Sequence, residues 1–100
     1  MILEVYSVFD KAVNAYMQPF YCRSKGEAIR SFTEAVNDGS KPFGKYSLDY
    51  FLVSLGEFDD NSGSFTGHGP LRVIGANEVV IDEVFTPATE GNGADRRIPM

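Results

Sequence analysis

Residues 24–38, SKGEAIRSFTEAVND, carry one apolar stripe and no second one, and this constrains the fold more than any other feature. Ser24 is followed three residues later by Glu27, the pairing of a capping box at a helix start. Ala28, Ile29, Phe32, Ala35 and Val36 then fall at i, i+1, i+4, i+7 and i+8, which is one face of a helix. Lys25, Arg30, Ser31 and Glu34 occupy the other faces. Asn37-Asp38-Gly39 closes the segment, and Gly39 can take the left-handed conformation of a C-cap. A helix with a single buried stripe must lie on a surface, and the rest of the chain reads as strands.

ILEVYSVFD is rich in β-branched and aromatic residues and predicts a strand over about 2–9. After the turn-forming DKAVNA, YMQPFYC predicts a second strand over 15–22, paired with the first as a hairpin. Pro19 cannot donate to a ladder and marks an edge or a bulge. GSKPFGKYS, 39–47, is a loop. LDYFLVSLGEF, 48–58, is the most apolar stretch and predicts a central strand beneath the helix. SGSFTG reads as its return strand, GHGP (67–70) as a breaker and LRVIG (71–75) as another short strand. NEVVIDEVFTP, 77–87, suits a strand or a short helix, and its valines favour the strand. The expected fold is α+β: a small antiparallel sheet with one amphipathic helix packed on one face, in the order β-β-α-β-β-β. Residues 1–87 form the expected single domain, and 88–100, which lack an apolar period, a flexible C-terminal tail.

The stretch GEFDDNSGSF, 56–65, raises the question of a metal loop. A helix-loop-helix calcium loop with Gly63 at its sixth position would put Phe58 at the first and Gly69 at the twelfth, where oxygen ligands are required. Asp59-Asp60-Asn61-Ser62-Gly63 fits hairpin chemistry instead, a type I turn followed by glycine in the left-handed region. His68, the only histidine, has no second histidine or cysteine nearby in sequence. Cys22, the only cysteine, allows no internal disulfide and reads as a small core residue. No phosphate loop, dinucleotide fingerprint, nucleophile elbow or zinc spacing occurs. Adjacent carboxylates such as Asp59/Asp60 and Asp82/Glu83 would face opposite ways on a strand. The chain therefore reads as a non-enzyme with no metal, no cofactor and no catalytic residues. No apolar run reaches the roughly 18 residues of a membrane span, and the first ten residues do not resemble a signal peptide.

Net charge is −5, and it is uneven: six Lys/Arg oppose six Asp/Glu in residues 1–50, but three oppose eight in 51–100. A phosphate backbone repels such a chain at long range, so contact with nucleic acid would fall to the neutral half. There KAVNAYMQPFYCRSK interleaves aromatics with cations. Aromatic rings stack on unpaired bases while cations follow phosphates. The candidate nucleic-acid-binding residues are Lys11, Tyr16, Tyr21, Arg23, Lys25 and Arg30. The competing reading is ordinary sheet core with a solvated rim.

Three segments in order carry a resemblance. YSVFDKAVNAYMQPFYC resembles the start of the small nonstructural protein of gokushoviruses, single-stranded DNA phages of the Microviridae. AIRSFTEAVND resembles its central helix. YSLDYFLVSLGEFDDNSG resembles its Y-x-L-x-x-L-G-x-F-D-x-x-x-G segment. The resemblance spans roughly residues 3–76. It implies a non-capsid protein of the infected bacterial cytoplasm that acts in single-stranded viral DNA synthesis and packaging. The partners implied are the viral replication initiator and, less directly, single-stranded DNA. A structural or interaction protein that associates with a capsid precursor or a host protein stands as the alternative. Homo-oligomerisation is left open by the sequence.

Overall fold

A computed structural model describes residues 1–81. The elements are β1 (Ile2–Asp10), β2 (Ala15–Tyr16), β3 (Phe20–Cys22), α1 (Lys25–Val36), β4 (Tyr50–Asp59) and β5 (Ser64–Gly75), followed by a 3₁₀ turn at Ala76–Glu78. All pairings are antiparallel, in the order β2-β1-β4-β5, with β3 also paired to β1. The fold is α+β, one small antiparallel sheet with one helix. The order is β-β-β-α-β-β, which corrects the expected β-β-α-β-β-β in two places.

The first is the expected strand 15–22. It is two short strands, because Pro19 has no N–H to give and residues 17–19 leave the ladder. β2 and β3 therefore lie end to end along one edge of β1. The second is 67–70, expected to break the chain. GHGP instead runs inside the continuous strand β5, whose register against β4 shifts between Leu52/Val53 and between Ser54/Gly56. His68, Gly69 and Pro70 have no partner in that register, so GHGP marks an irregularity within the strand rather than its end, and Pro70 is tolerated because β5 is an edge strand. The strand favoured over 77–87 is not formed at its start, where a 3₁₀ turn stands; residues 82–87 and the expected tail 88–100 lie outside the described residues.

The helix forms as its sequence dictates. The Glu27 N–H donates to Ser24 Oγ at 3.2 Å. The Glu27 carboxylate accepts from the Arg23 N–H at 2.6 Å, one residue before the cap. At the far end Asn37, not Gly39, is the C-cap. Its amide group donates to Thr33 O and Val79 O and accepts from the Ile81 N–H, so it ties the helix end to the chain beyond β5. Ala28, Phe32 and Val36 are buried against Tyr6, Val8 and Leu52 of the sheet, with Cys22, Phe43 and Ala76 completing the core. Burial pushes the Cys22 thiol above its ordinary pKa, as expected of a core residue.

The turn after β4 is the one its residues predict. Gly63 has φ +78, its N–H donates to Asp59 O at 2.8 Å, and Asp59 Oδ1 accepts from the Asn61 N–H at 2.9 Å. Gly56 is demanded by geometry as well. It has φ +146, and a Cβ there would stand 2.2 Å from Thr66 O. Leu55 is the extra residue of a bulge in β4 against β1, between the pairs Val5↔Gly56 and Tyr6↔Ser54.

Candidate functional site

Side chains alternate along a strand, so the residues between those facing the helix define the opposite face. On β1 that face carries Leu3, Val5, Ser7 and Phe9. Their cross-strand partners are Phe58, Gly56, Val53 and Phe51. Val5, Ser7 and Val53 are buried although no helix covers them. Ser7 Oγ donates to Met17 O at 2.6 Å, which satisfies the buried hydroxyl and fixes the irregular residues between β2 and β3.

Two aromatic groups flank this buried strip. The first crosses the sheet at one register: Tyr16 on β2, Phe9 on β1 and Phe51 on β4. Phe9 lies 4.7 Å from Tyr16 and 5.2 Å from Phe51, centroid to centroid. The next position, on β5, is Gly75, and the Arg72 guanidinium takes the space, 5.5 Å from the Phe51 centroid. The second group joins Tyr21 of β3 to the cross-strand pair Phe58 and Phe65. Phe58–Phe65 centroids are 4.8 Å apart, Tyr21–Phe58 5.7 Å and Tyr21–Phe65 6.4 Å. Tyr16 and Tyr21 are about half exposed, and Phe65 more so. Their ring faces can therefore accept a flat partner.

The six residues singled out from sequence do not form one patch. Tyr16 and Tyr21 share the face opposite the helix, each within its own aromatic group. Lys25 and Arg30 are exposed on α1, across the sheet from both tyrosines. Arg23 precedes the helix, with its guanidinium 3.8 Å from Glu27. Lys11 is exposed in the β1–β2 turn, where its N–H donates to Asp49 O at 2.7 Å. The sequence reading missed Phe9, Phe51, Phe58, Phe65 and Arg72. Two signals pointed to them: the spacing of Phe58 and Phe65 about the 59–63 turn, and the alternation that puts Phe9 with Leu3 and Val5.

The ionised groups at the site are few. Arg72 Nη2 donates to Glu78 Oε2 at 2.8 Å, and the Gly75 N–H donates to the same oxygen at 2.9 Å. Both hydrogen bonds, that from Arg72 first, hold the Glu78 carboxyl below its ordinary pKa. Among the described residues no three His, Cys, Asp or Glu side chains gather as a metal site, and no helix is long and apolar enough to cross a membrane. Beneath the helix, a separate apolar cavity of about 250 Å³ is lined by Met17, Phe20, Phe32 and Phe43 among others.

Residues 3–79 match the family described as "Phage ORF5 protein". The chain belongs to this phage protein family. The matched span runs from β1 through the 3₁₀ turn and so includes both aromatic groups and Arg72. No curated protein and no solved structure matches the chain. The family supports a phage accessory protein.

Proposed function

We propose that the protein is a non-enzymatic accessory factor of gokushovirus-like phages, acting in the host cytoplasm in single-stranded viral DNA synthesis. It binds unpaired viral DNA on the sheet face opposite the helix and brings that DNA to the replication machinery. The row Tyr16–Phe9–Phe51, capped by Arg72, is the observation that carries this reading. It offers successive ring faces ending in a cation, the combination by which proteins hold single strands without reading sequence. Among the described residues the face otherwise lacks the dense positive charge of duplex binders, in keeping with a net charge of −5.

That same charge favours a second reading, an interaction protein whose exposed aromatics dock on a capsid precursor or host protein. Fluorescence anisotropy with a labelled oligothymidylate, at low and moderate salt, separates the two. The first reading expects binding at low salt that weakens on Tyr16→Ala and Phe51→Ala. Absence of binding at low salt rejects it for the isolated protein. Recovery of capsid protein alone from infected cells would then support the second.

A further inference from the structure

We propose that Glu78 is a built-in competitor for phosphate: it holds Arg72 in an ion pair, and the aromatic face engages a strand fully when that pair opens. This rests on the reading that the face binds single-stranded DNA. Arg72 is the cation that caps the aromatic row; Lys25 and Arg30 lie on the other side of the sheet. Its planar guanidinium lies over Phe51 with one edge turned to Glu78. A strand laid along the row from Tyr16 would bring a phosphate to this guanidinium, whose fork suits phosphate oxygens. Glu78 already occupies one edge of the fork and adds a like charge that repels the phosphate.

The backbone makes room for the pair. Gly75 lies opposite Phe51 in the ladder. A Cβ there would stand 2.7 Å from Arg72 Nη2, 2.7 Å from Asn77 Oδ1 and 3.1 Å from Glu78 Oε2. The φ of Gly75 is −91, which any residue adopts, so glycine is needed here for space and not for conformation. Both side chains of the pair are about half exposed (53% and 47%). Exposed pairs are weak and open readily.

The test uses the full chain and a labelled oligothymidylate. Glu78→Gln removes the charge and keeps an amide oxygen for the Gly75 N–H. It should tighten binding about two- to fivefold and steepen the salt dependence by about 0.7 in logarithmic slope, one more phosphate contact on a single strand. Gly75→Ala pushes the pair apart without changing charge and should tighten binding in the same direction. Arg72→Gln should weaken binding and abolish the gain from Glu78→Gln, as a double-mutant cycle requires of coupled groups. An unchanged affinity in both Glu78→Gln and Gly75→Ala overturns the proposal. So does an equal gain from Glu78→Gln with and without Arg72, which would mark a general charge effect. If Tyr16→Ala and Phe51→Ala abolish binding while Glu78→Gln does nothing, only the competitor role fails. If the wild type binds nothing, the functional reading fails with it.

Discussion

Tyr21 and Phe65 stand three strand spacings apart in the ladder, yet their ring centroids are 6.4 Å apart. Three spacings in a flat sheet come to about 14 Å. Coiling of the sheet and the lean of the two rings toward each other close that gap, so the face opposite the helix is concave at this end. Gly56 permits the coil by letting β5 cross close over β4. The buried residues Val5, Ser7 and Val53 then lie in the floor of the curve, with the aromatic groups at its rim. The rings serve folding through their inner edges, while their exposed outer faces remain free to stack.

If those outer faces hold bases, Tyr21→Ala and Phe65→Ala should each weaken oligothymidylate binding by about 1–3 kcal/mol. Lys25→Ala and Arg30→Ala, across the sheet, should leave affinity at moderate salt near that of the wild type. Anisotropy titrations of the four variants provide the comparison. A loss confined to the helix cations would move the interface to the helix side.

The two glycines that face each other across β4 and β5 predict opposite outcomes. Gly56→Ala forces a residue with a Cβ into φ +146 and against the Thr66 carbonyl, so unfolding should need at least about 1–3 kcal/mol less. Gly67 has open space, with Leu55 O at 3.9 Å as the nearest atom to an added Cβ, and no left-handed φ. Gly67→Ala should be neutral or stabilise by up to about 1 kcal/mol through the unfolded chain. Urea denaturation of both variants decides the matter, and equal destabilisation would refute this account of the bulge.

Features settled within a few residues were legible in the sequence. The Ser24–Glu27 cap and the Asp59–Gly63 turn are examples, since each hydrogen-bonds to its own neighbours. Features settled by pairing were not. GHGP carries every local sign of a break, yet the chain passes through the unpaired residues 68–70 and rejoins the ladder at Leu71 opposite Ser54. Gly39 looked like the cap because glycine costs nothing in the left-handed region, but Asn37 has partners at Val79 and Ile81, 42 and 44 residues away. The site follows the same rule. Tyr16 and Tyr21 were found because they lie beside cations in the chain. Phe51 and Arg72 were missed because only the register Phe9↔Phe51 and the gap at Gly75 bring them to the same row.

The helix should respond to mutation in proportion to depth. Phe32 is buried at the centre of the stripe, so Phe32→Ala should cost about 3–5 kcal/mol through lost burial and the cavity left behind. Ser24→Ala removes one capping bond at an exposed end and should cost about 1 kcal/mol. Chemical denaturation that ranks the two in the reverse order would contradict the placement of α1 on the sheet.

Acid should unfold the protein through carboxylates held in turns. The Asp59 carboxyl lies below its ordinary pKa of 3.8, chiefly because the Asn61 N–H donates to it. That of Asp38 is lowered by the Ser40 hydroxyl and N–H, and that of Glu78 by Arg72 and the Gly75 N–H. As pH falls, the unfolded chain takes up these protons first. The stability each group contributes is therefore complete above the ordinary carboxylate values and is lost as pH falls through the lower folded ones. All three are solvent-facing, so the effect of each is small and their sum sets the acid limb. Asp59→Asn leaves an oxygen to accept from Asn61 but no charge to titrate. It should be less stable than the wild type near neutral pH and lose less stability between about pH 5 and pH 2. Urea midpoints across that range test this, and an acid limb as steep as that of the wild type would show that Asp59 plays no part in it.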